Sequence, residues 1–352
     1  MKRPKVREFL NLRRPLGLPT WGIAALYLGL SALPLILASG AGIPPAGPGM
    51  EGSAAAGMVG MVLMVAQIGS SGRFPFLSSR VGIDVAMAFH KWAAPVALAL
   101  LLAHPVLLAD PFTISDPLHF LDRLGSLAFS PKLATGLIAL VLFLVLTLMA
   151  LLRGHLPAGY GLWRLSHVLL ALAALLLALD HILAAGTYAA AAPLSLFWPL
   201  LTLGVVLIWL LRHLIVWLSS PWQVEEVRQI GDRLWLLKIK RSRGFSFLAG
   251  QFAWLRFGRS LSDHPFSIAS TPHDGHLSFI IQEAGDFTSK IGRIAIGSPV
   301  TVDGPHGSFT LENLPDSDAL LLIAGGVGVA PIFAILADVN VNGGVKSGQA
   351  AE

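Results

Sequence analysis

Four of the eleven histidines fall inside apolar stretches of the chain: His90, His104, His167 and His181. An ionisable side chain inside a bilayer is costly and is usually functional. The spacing adds to this, because His90 and His104 lie 14 positions apart, and so do His167 and His181. Fourteen residues at about 100° each end about 40° short of four turns, so each pair shares one helix face, with a rise of about 21 Å. Two such helices side by side present two levels of facing imidazoles. Bis-imidazole ligation of two stacked haems fits that geometry, since nitrogen ligands suit iron and a porphyrin plane fits between helices. The other chemistries are separate hydrogen-bonded polar residues and a proton relay, which does not require equal spacing. A four-histidine zinc or copper site is disfavoured by the separation of about 20 Å between levels.

The elements that must position these histidines are legible as apolar runs. The chain has 352 residues, 54% of them hydrophobic and 13% charged, where soluble domains carry roughly 25% charged residues. Six stretches reach spanning length, at 20–39, 54–69, 84–108, 132–152, 163–185 and 195–218. The second is the weakest, being short and rich in glycine and alanine. "MKRPKVREFLNLRRP" places six Lys/Arg before the first span and reads as a cytoplasmic lead-in. Inner loops then hold Arg73 and Arg80, and later Arg153 and Arg164, whereas outer loops hold Glu51, then Asp110, Asp116, Asp122 and Arg123. That bias predicts both termini on the cytoplasmic side. The net charge of +5 fits the same rule, and no nucleic-acid partner is expected. There are no cysteines, which excludes disulfides, thiolate metal sites and cysteine nucleophiles. With no eukaryotic targeting signal, a bacterial inner membrane is expected.

From Trp222 onward short alternating runs appear, "RLWLLKIKR", "GQFAWLRF", "HLSFIIQEA" and "SPVTVDGPHG", typical of a small antiparallel barrel. "HPFSIAS" (264–270) offers an aromatic face and a hydroxyl. "GDFTSKIG" (285–292) predicts a short helix whose free N–H groups suit a pyrophosphate. "VDGPHGSF" (302–309) reads as a tight turn. A buried strand, Leu320 to Ala324, then leads into Gly325-Gly326-Val327-Gly328 and a helix entered at Pro331, the start of a phosphate-binding strand–turn–helix. "VNVNGGVKSGQAAE", at the end, reads as disordered.

The order of two His-x13-His helices, "HPFSIAS", "GDFT", "GPHG" and "GGVGVAP" closely resembles the ferric reductase and NADPH oxidase superfamily, whose cytoplasmic half is similar to ferredoxin–NADP reductase. The resemblance implies that His90, His104, His167 and His181 ligate two b-type haems. It implies that His264, Pro265, Phe266 and Ser267 line FAD with Ile268 and Ala269 beside them, and that Thr288 approaches the pyrophosphate. Gly325, Gly326, Gly328 and Pro331 would meet NAD(P)H. The chain departs from the family at Gln282, where many relatives carry Lys or Arg. The missing charge would come from Lys290 or Arg293, and Glu283 would oppose it. The family's nucleotide domain also continues well beyond this chain's end.

The expected fold is therefore a multi-domain membrane protein. A basic segment (1–19) precedes a six-helix transmembrane haem-binding bundle (20–218), a small antiparallel β-barrel binding flavin (219–316), and the first β-α unit of a C-terminally truncated α/β nucleotide-binding domain (317–352). The expected activity is an oxidoreductase passing electrons from NAD(P)H through FAD and two haems to a small-molecule or metal-ion acceptor, ferric iron or dioxygen, on the outer side, with His119 in a nearby loop. Membrane lipid is the expected surrounding partner. Two further readings stay open: a haem subunit fed by a partner reductase, a missing C-terminal half or a quinol, and a histidine-dependent proton-coupled transporter.

Overall fold

The computed structural model describes residues 20–71, 74, 82–112, 116–155, 159–219, 222–241, 244–258, 260, 262–313 and 321–341. The basic N-terminal segment, Arg73, Arg80, Leu320 and the tail from 342 lie outside the described residues. The chain divides into two compact units, one of residues 21–71 and 85–211 and one built around 212–352.

The first unit is helical. Apolar helices run over Thr20–Ser39 (α1), Pro48–Ser70 (α2), Ile83–Leu108 (α3), Ala134–Leu151 (α5), Tyr160–Ala185 (α6) and Leu194–Leu218 (α7). Five of them, α2, α3, α5, α6 and α7, are long and apolar enough to cross a membrane. The glycine- and alanine-rich α2 is the least hydrophobic of the five, as expected, and also the most buried. Half of its apolar window is buried (50%), against 17–22% for the other four. Its small residues Gly49, Ser53, Ala56 and Gly60 are buried, as expected where helices approach closely in a bilayer. The core around it holds Met61, Val65, Phe143, Leu175 and Trp198.

One helix lies where the sequence reading has only an outer loop. Residues Pro117–Ala128 form α4, opened by Asp116, whose carboxylate accepts from the Leu118 N–H at 3.0 Å, with Pro117 in the first turn. Both are strong helix-start signals. Leu118 and Leu121 on it are exposed.

The second unit contains a six-stranded sheet of order β4-β3-β6-β1-β2-β5, with every paired neighbour antiparallel. The strands are β1 (Trp222–Gly231), β2 (Leu234–Lys240), β3 (Phe252–Phe257), β4 (His264–Ser267), β5 (His276–Gln282) and β6 (Pro299–His306). Alternation builds the core: Leu237 and Ile239 of β2 meet Leu277, Phe279 and Ile281 of β5, all essentially inaccessible. A bridge between Ile268 and Phe279 links the two edge strands.

Three expectations are corrected here. The predicted turn at 302–309 is strand as far as His306, and the chain turns at Gly307 (φ 98°). The predicted strand at 320–324 does not form among the described residues. Leu321 and Ile323 are 83% and 81% exposed, and a parallel strand needs a ladder partner and cover on both faces. The helix that follows does form, as Val329–Val341 (α8), carrying three residues of the expected disordered tail into regular structure. It is seated by Ala334 and Ile335 packing on Ala249.

Candidate functional site

The four membrane histidines come together as two facing pairs. His90 and His104 project from α3, and His167 and His181 from α6. The ring centres of His90 and His167 are 6.4 Å apart, and those of His104 and His181 are 6.2 Å apart. A metal–imidazole bond of about 2 Å on each side of a single ion puts two ring centres about 6 Å apart, so both gaps have the width one iron requires. No group of three or more His, Asp or Glu forms among the described residues. Each level thus offers two imidazole nitrogens and would suit a metal that brings its remaining ligands with it, as a haem would.

Other observations support that fit. A largely apolar cavity of about 360 Å³ is lined by His104, His181, Met58, Leu137 and Trp198, within the range of cofactor sites. The His104 Nδ1 lies 2.8 Å from the Ser53 carbonyl oxygen, and the His90 Nδ1 lies 3.2 Å from that of Gln67. A carbonyl only accepts, so Nδ1 carries the proton in both rings and Nε2 keeps its lone pair for a metal. Two glycines make room: a Cβ on Gly136 would stand 2.6 Å from the His181 ring, and one on Gly57 would stand 3.0 Å from the His104 Nδ1. At the His90–His167 level the Trp163 ring lies 5.2 Å from that of His167. His119 sits on α4, exposed, with its Nδ1 2.8 Å from Asp116.

In the sheet unit the predicted flavin residues also converge. His264 to Ser267 form β4, and the His264 ring stacks on Phe287 with centres 3.9 Å apart and planes 7° apart. Phe266 stands 6.3 Å from the same ring. Pro265 is exposed, whereas Ala269 is buried. Ile268 is a core residue with no accessible surface, so its side chain backs the wall and has no face for a ligand. Thr288 opens a 3-10 turn, Thr288–Arg293, and its hydroxyl accepts from the N–H groups of Ala284 and Gly285 at 2.8 and 3.0 Å, shaping the loop. The Glu283 carboxylate accepts from the Trp235 indole at 2.6 Å. Gln282, Lys290 and Arg293 are exposed.

Next to these strands, Asp303 is clamped by the Arg212 guanidinium at 2.7 Å to each carboxylate oxygen and by the His306 Nε2 at 3.3 Å. Burial pushes this carboxyl up, but the His306 hydrogen bond and the Arg212 charge outweigh it and hold it below the usual range. Gly325, Gly326 and Gly328 are exposed, and a Cβ on any of them would meet open space. Only Gly326, at φ 54°, needs glycine for its backbone. The openness at the other two is compatible with close approach by a ligand. Pro331 lies in the first turn of α8.

Sequence reasoning missed Ser53, Gly57, Ser70 and Gly136. For the first three, the spacing of the small residues along α2 was the available signal, and Gly136 on α5 had none.

Residues 56–178 match the ferric reductase like transmembrane component family, and residues 220–310 match an FAD-binding domain family. In chain order, a region similar to a ferric reductase-like transmembrane component is followed by one similar to an FAD-binding domain. The first match contains His90, His104 and His167 and ends three residues before His181. Among curated relatives, the toluate 1,2-dioxygenase electron transfer component of Pseudomonas putida is 33% identical over 34% of this chain and 37% of that protein. Ferredoxin--NADP reductase A of Sorangium cellulosum is 34% identical over 33% and 43%, respectively. Dual oxidase 1 of Homo sapiens is 31% identical over 29% and 7%. The chain thus spans less than half the length of these relatives.

Proposed function

We propose that the chain carries electrons across a membrane, from cytoplasmic NAD(P)H through FAD and two b-type haems to an acceptor on the outer face, ferric iron or dioxygen. The observation that carries this reading is the pair of histidine levels with ring centres 6.4 and 6.2 Å apart. When bound, the flavin divides a two-electron hydride into single electrons, and the haem irons relay them. His90 and His167 hold the inner haem, and His104 and His181 the outer one. The apolar lining of the outer cavity excludes water from the porphyrin. Phe266, Ser267 and the His264–Phe287 stack wall the flavin, while the Thr288 turn presents backbone N–H groups to its phosphates. Gly325, Gly326 and Gly328 let a nicotinamide nucleotide approach.

In this reading α1 is the sixth span, the linked sheet edges make a barrel, both termini are cytoplasmic, and the membrane is a bacterial inner membrane. A second reading is a haem subunit fed by a partner reductase or a quinol. A reduced-minus-oxidised spectrum of the purified protein is the test. Two b-type components reduced on adding NADH or NADPH support the first reading, and two components reduced only by a quinol or an added reductase support the second. No b-type absorption would eliminate both and leave a proton-carrying transporter.

A further inference from the structure

The histidines within each pair are held differently. On α3, both rings are tied to α2. The His104 Nδ1 donates to the Ser53 carbonyl oxygen at 2.8 Å and lies 3.0 Å from the Ser53 hydroxyl, which donates to the His104 carbonyl at 2.9 Å. The His90 Nδ1 donates to the Gln67 carbonyl oxygen at 3.2 Å, with the Ser70 hydroxyl 3.4 Å away and itself bonded to Gln67 at 3.2 Å. Both serines are buried, at 1% and 5% exposure. On α6, the Nδ1 atoms of His167 and His181 are buried with no hydrogen-bond partner among the described residues. Packing holds these two rings, against Trp163 and against the bare backbone of Gly136.

We propose that Ser53 and Ser70 are positioning residues for the α3 ligands: their hydroxyls hold the rings of His104 and His90 in line with the Ser53 and Gln67 carbonyls, whose Nδ1–H bonds make each the more electron-rich member of its pair. The proposal rests on the two-haem reading. A hydrogen bond from Nδ1–H raises the basicity of the other ring nitrogen, and an electron-rich ligand stabilises ferric over ferrous iron. The contacts are shorter on the outer level than on the inner one. The ring planes differ too, at 80° between His104 and His181 but 53° between His90 and His167. The two sites are therefore inequivalent by construction. Around a haem, the nearly perpendicular His104–His181 pair would give the more axial ferric resonance, with the larger g maximum.

The test uses the full chain and three variants, Ser53→Ala, Ser70→Ala and Ser53→Thr, with His104→Ala identifying the outer component by its loss. The readouts are haem per chain, the midpoint potential of each component, and the ferric paramagnetic resonance spectrum. Ser53→Ala should keep both haems, raise the outer midpoint alone and move the outer g maximum. Ser70→Ala should do the same, more weakly, to the inner component. Ser53→Thr keeps the hydroxyl and should restore the outer values, including haem retention if Ser53→Ala loses it. Unmoved potentials and spectra in Ser53→Ala with both haems present would overturn the proposal. So would loss of the outer haem from both Ser53 variants in folded protein, which would make the residue a packing element. Absence of haem from the wild-type chain would instead overturn the two-haem reading itself.

Discussion

Replacing Gly136 with alanine should empty the outer haem site and leave the inner one filled. Gly136 is on α5, directly behind the His181 ring, and a Cβ there would stand 2.6 Å from both Cγ and Nδ1 of that ring and 2.8 Å from Cδ2. Non-bonded carbons settle at about 3.5–4.0 Å, so the ring must retreat by about 1 Å. Metal–ligand bonds tolerate only about 0.2 Å, and the 6.2 Å gap to His104 is already matched to one ion. Overpacking of this kind costs about 1–3 kcal/mol, equivalent to about 5- to 150-fold in affinity for the outer haem. Haem per chain, by the pyridine haemochrome method, should fall from two toward one. Gly204→Ala on α7 is the control, because its Cβ meets nothing within 4 Å. Full haem content and an unchanged spectrum in Gly136→Ala would refute the placement of His181 as an outer ligand.

Other outcomes follow from the same geometry. His90→Ala and His104→Ala should each lose one haem and leave a different component of the reduced band, which low-temperature difference spectra would resolve. The depressed pKa of Asp303 means that it binds fewer protons folded than unfolded. Its stabilisation is present above the unfolded value of about 3.9 and is lost as pH falls through the lower folded value. Thermal melts of the wild type should therefore weaken in that acid range. Asp303→Asn should cost about 3 kcal/mol at neutral pH by leaving the largely buried Arg212 unpaired, and should flatten the acid slope. Thr288→Ala removes the acceptor for two backbone N–H groups. It should loosen the loop by about 1 kcal/mol, measurable as easier loss of flavin on gel filtration.

The histidine levels were legible because two pairs with identical spacing pin two helices to one register, and helix geometry does the rest. The strands were legible from alternation in stretches such as Leu234–Lys240 and His276–Gln282, where one face is buried. What packs behind the histidines was not. Ser53, Gly57 and Gly60 look like a poor membrane span when only hydropathy is weighed, because their value lies in letting α3 approach α2. The α4 helix was hidden by the charges of Asp116, Asp122 and Arg123, although Asp116-Pro117 is a helix start. The strand expected at Leu320–Ala324 shows the opposite failure. Its apolar pattern is right, but pattern alone supplies neither a ladder partner nor cover for Leu321 and Ile323. Long-range partners of this kind are absent from any local window of sequence.

Vectorial electron transfer in sealed liposomes tests the central claim most directly. The full chain is inserted with its FAD-binding domain outside, flavin is reduced there, and a membrane-impermeant ferric complex is enclosed within. The two histidine levels predict reduction of the enclosed iron by the wild-type chain and its loss in both His90→Ala and His104→Ala. No reduction by a wild-type chain carrying two haems and flavin, or equal rates in wild type and both variants, would contradict the account.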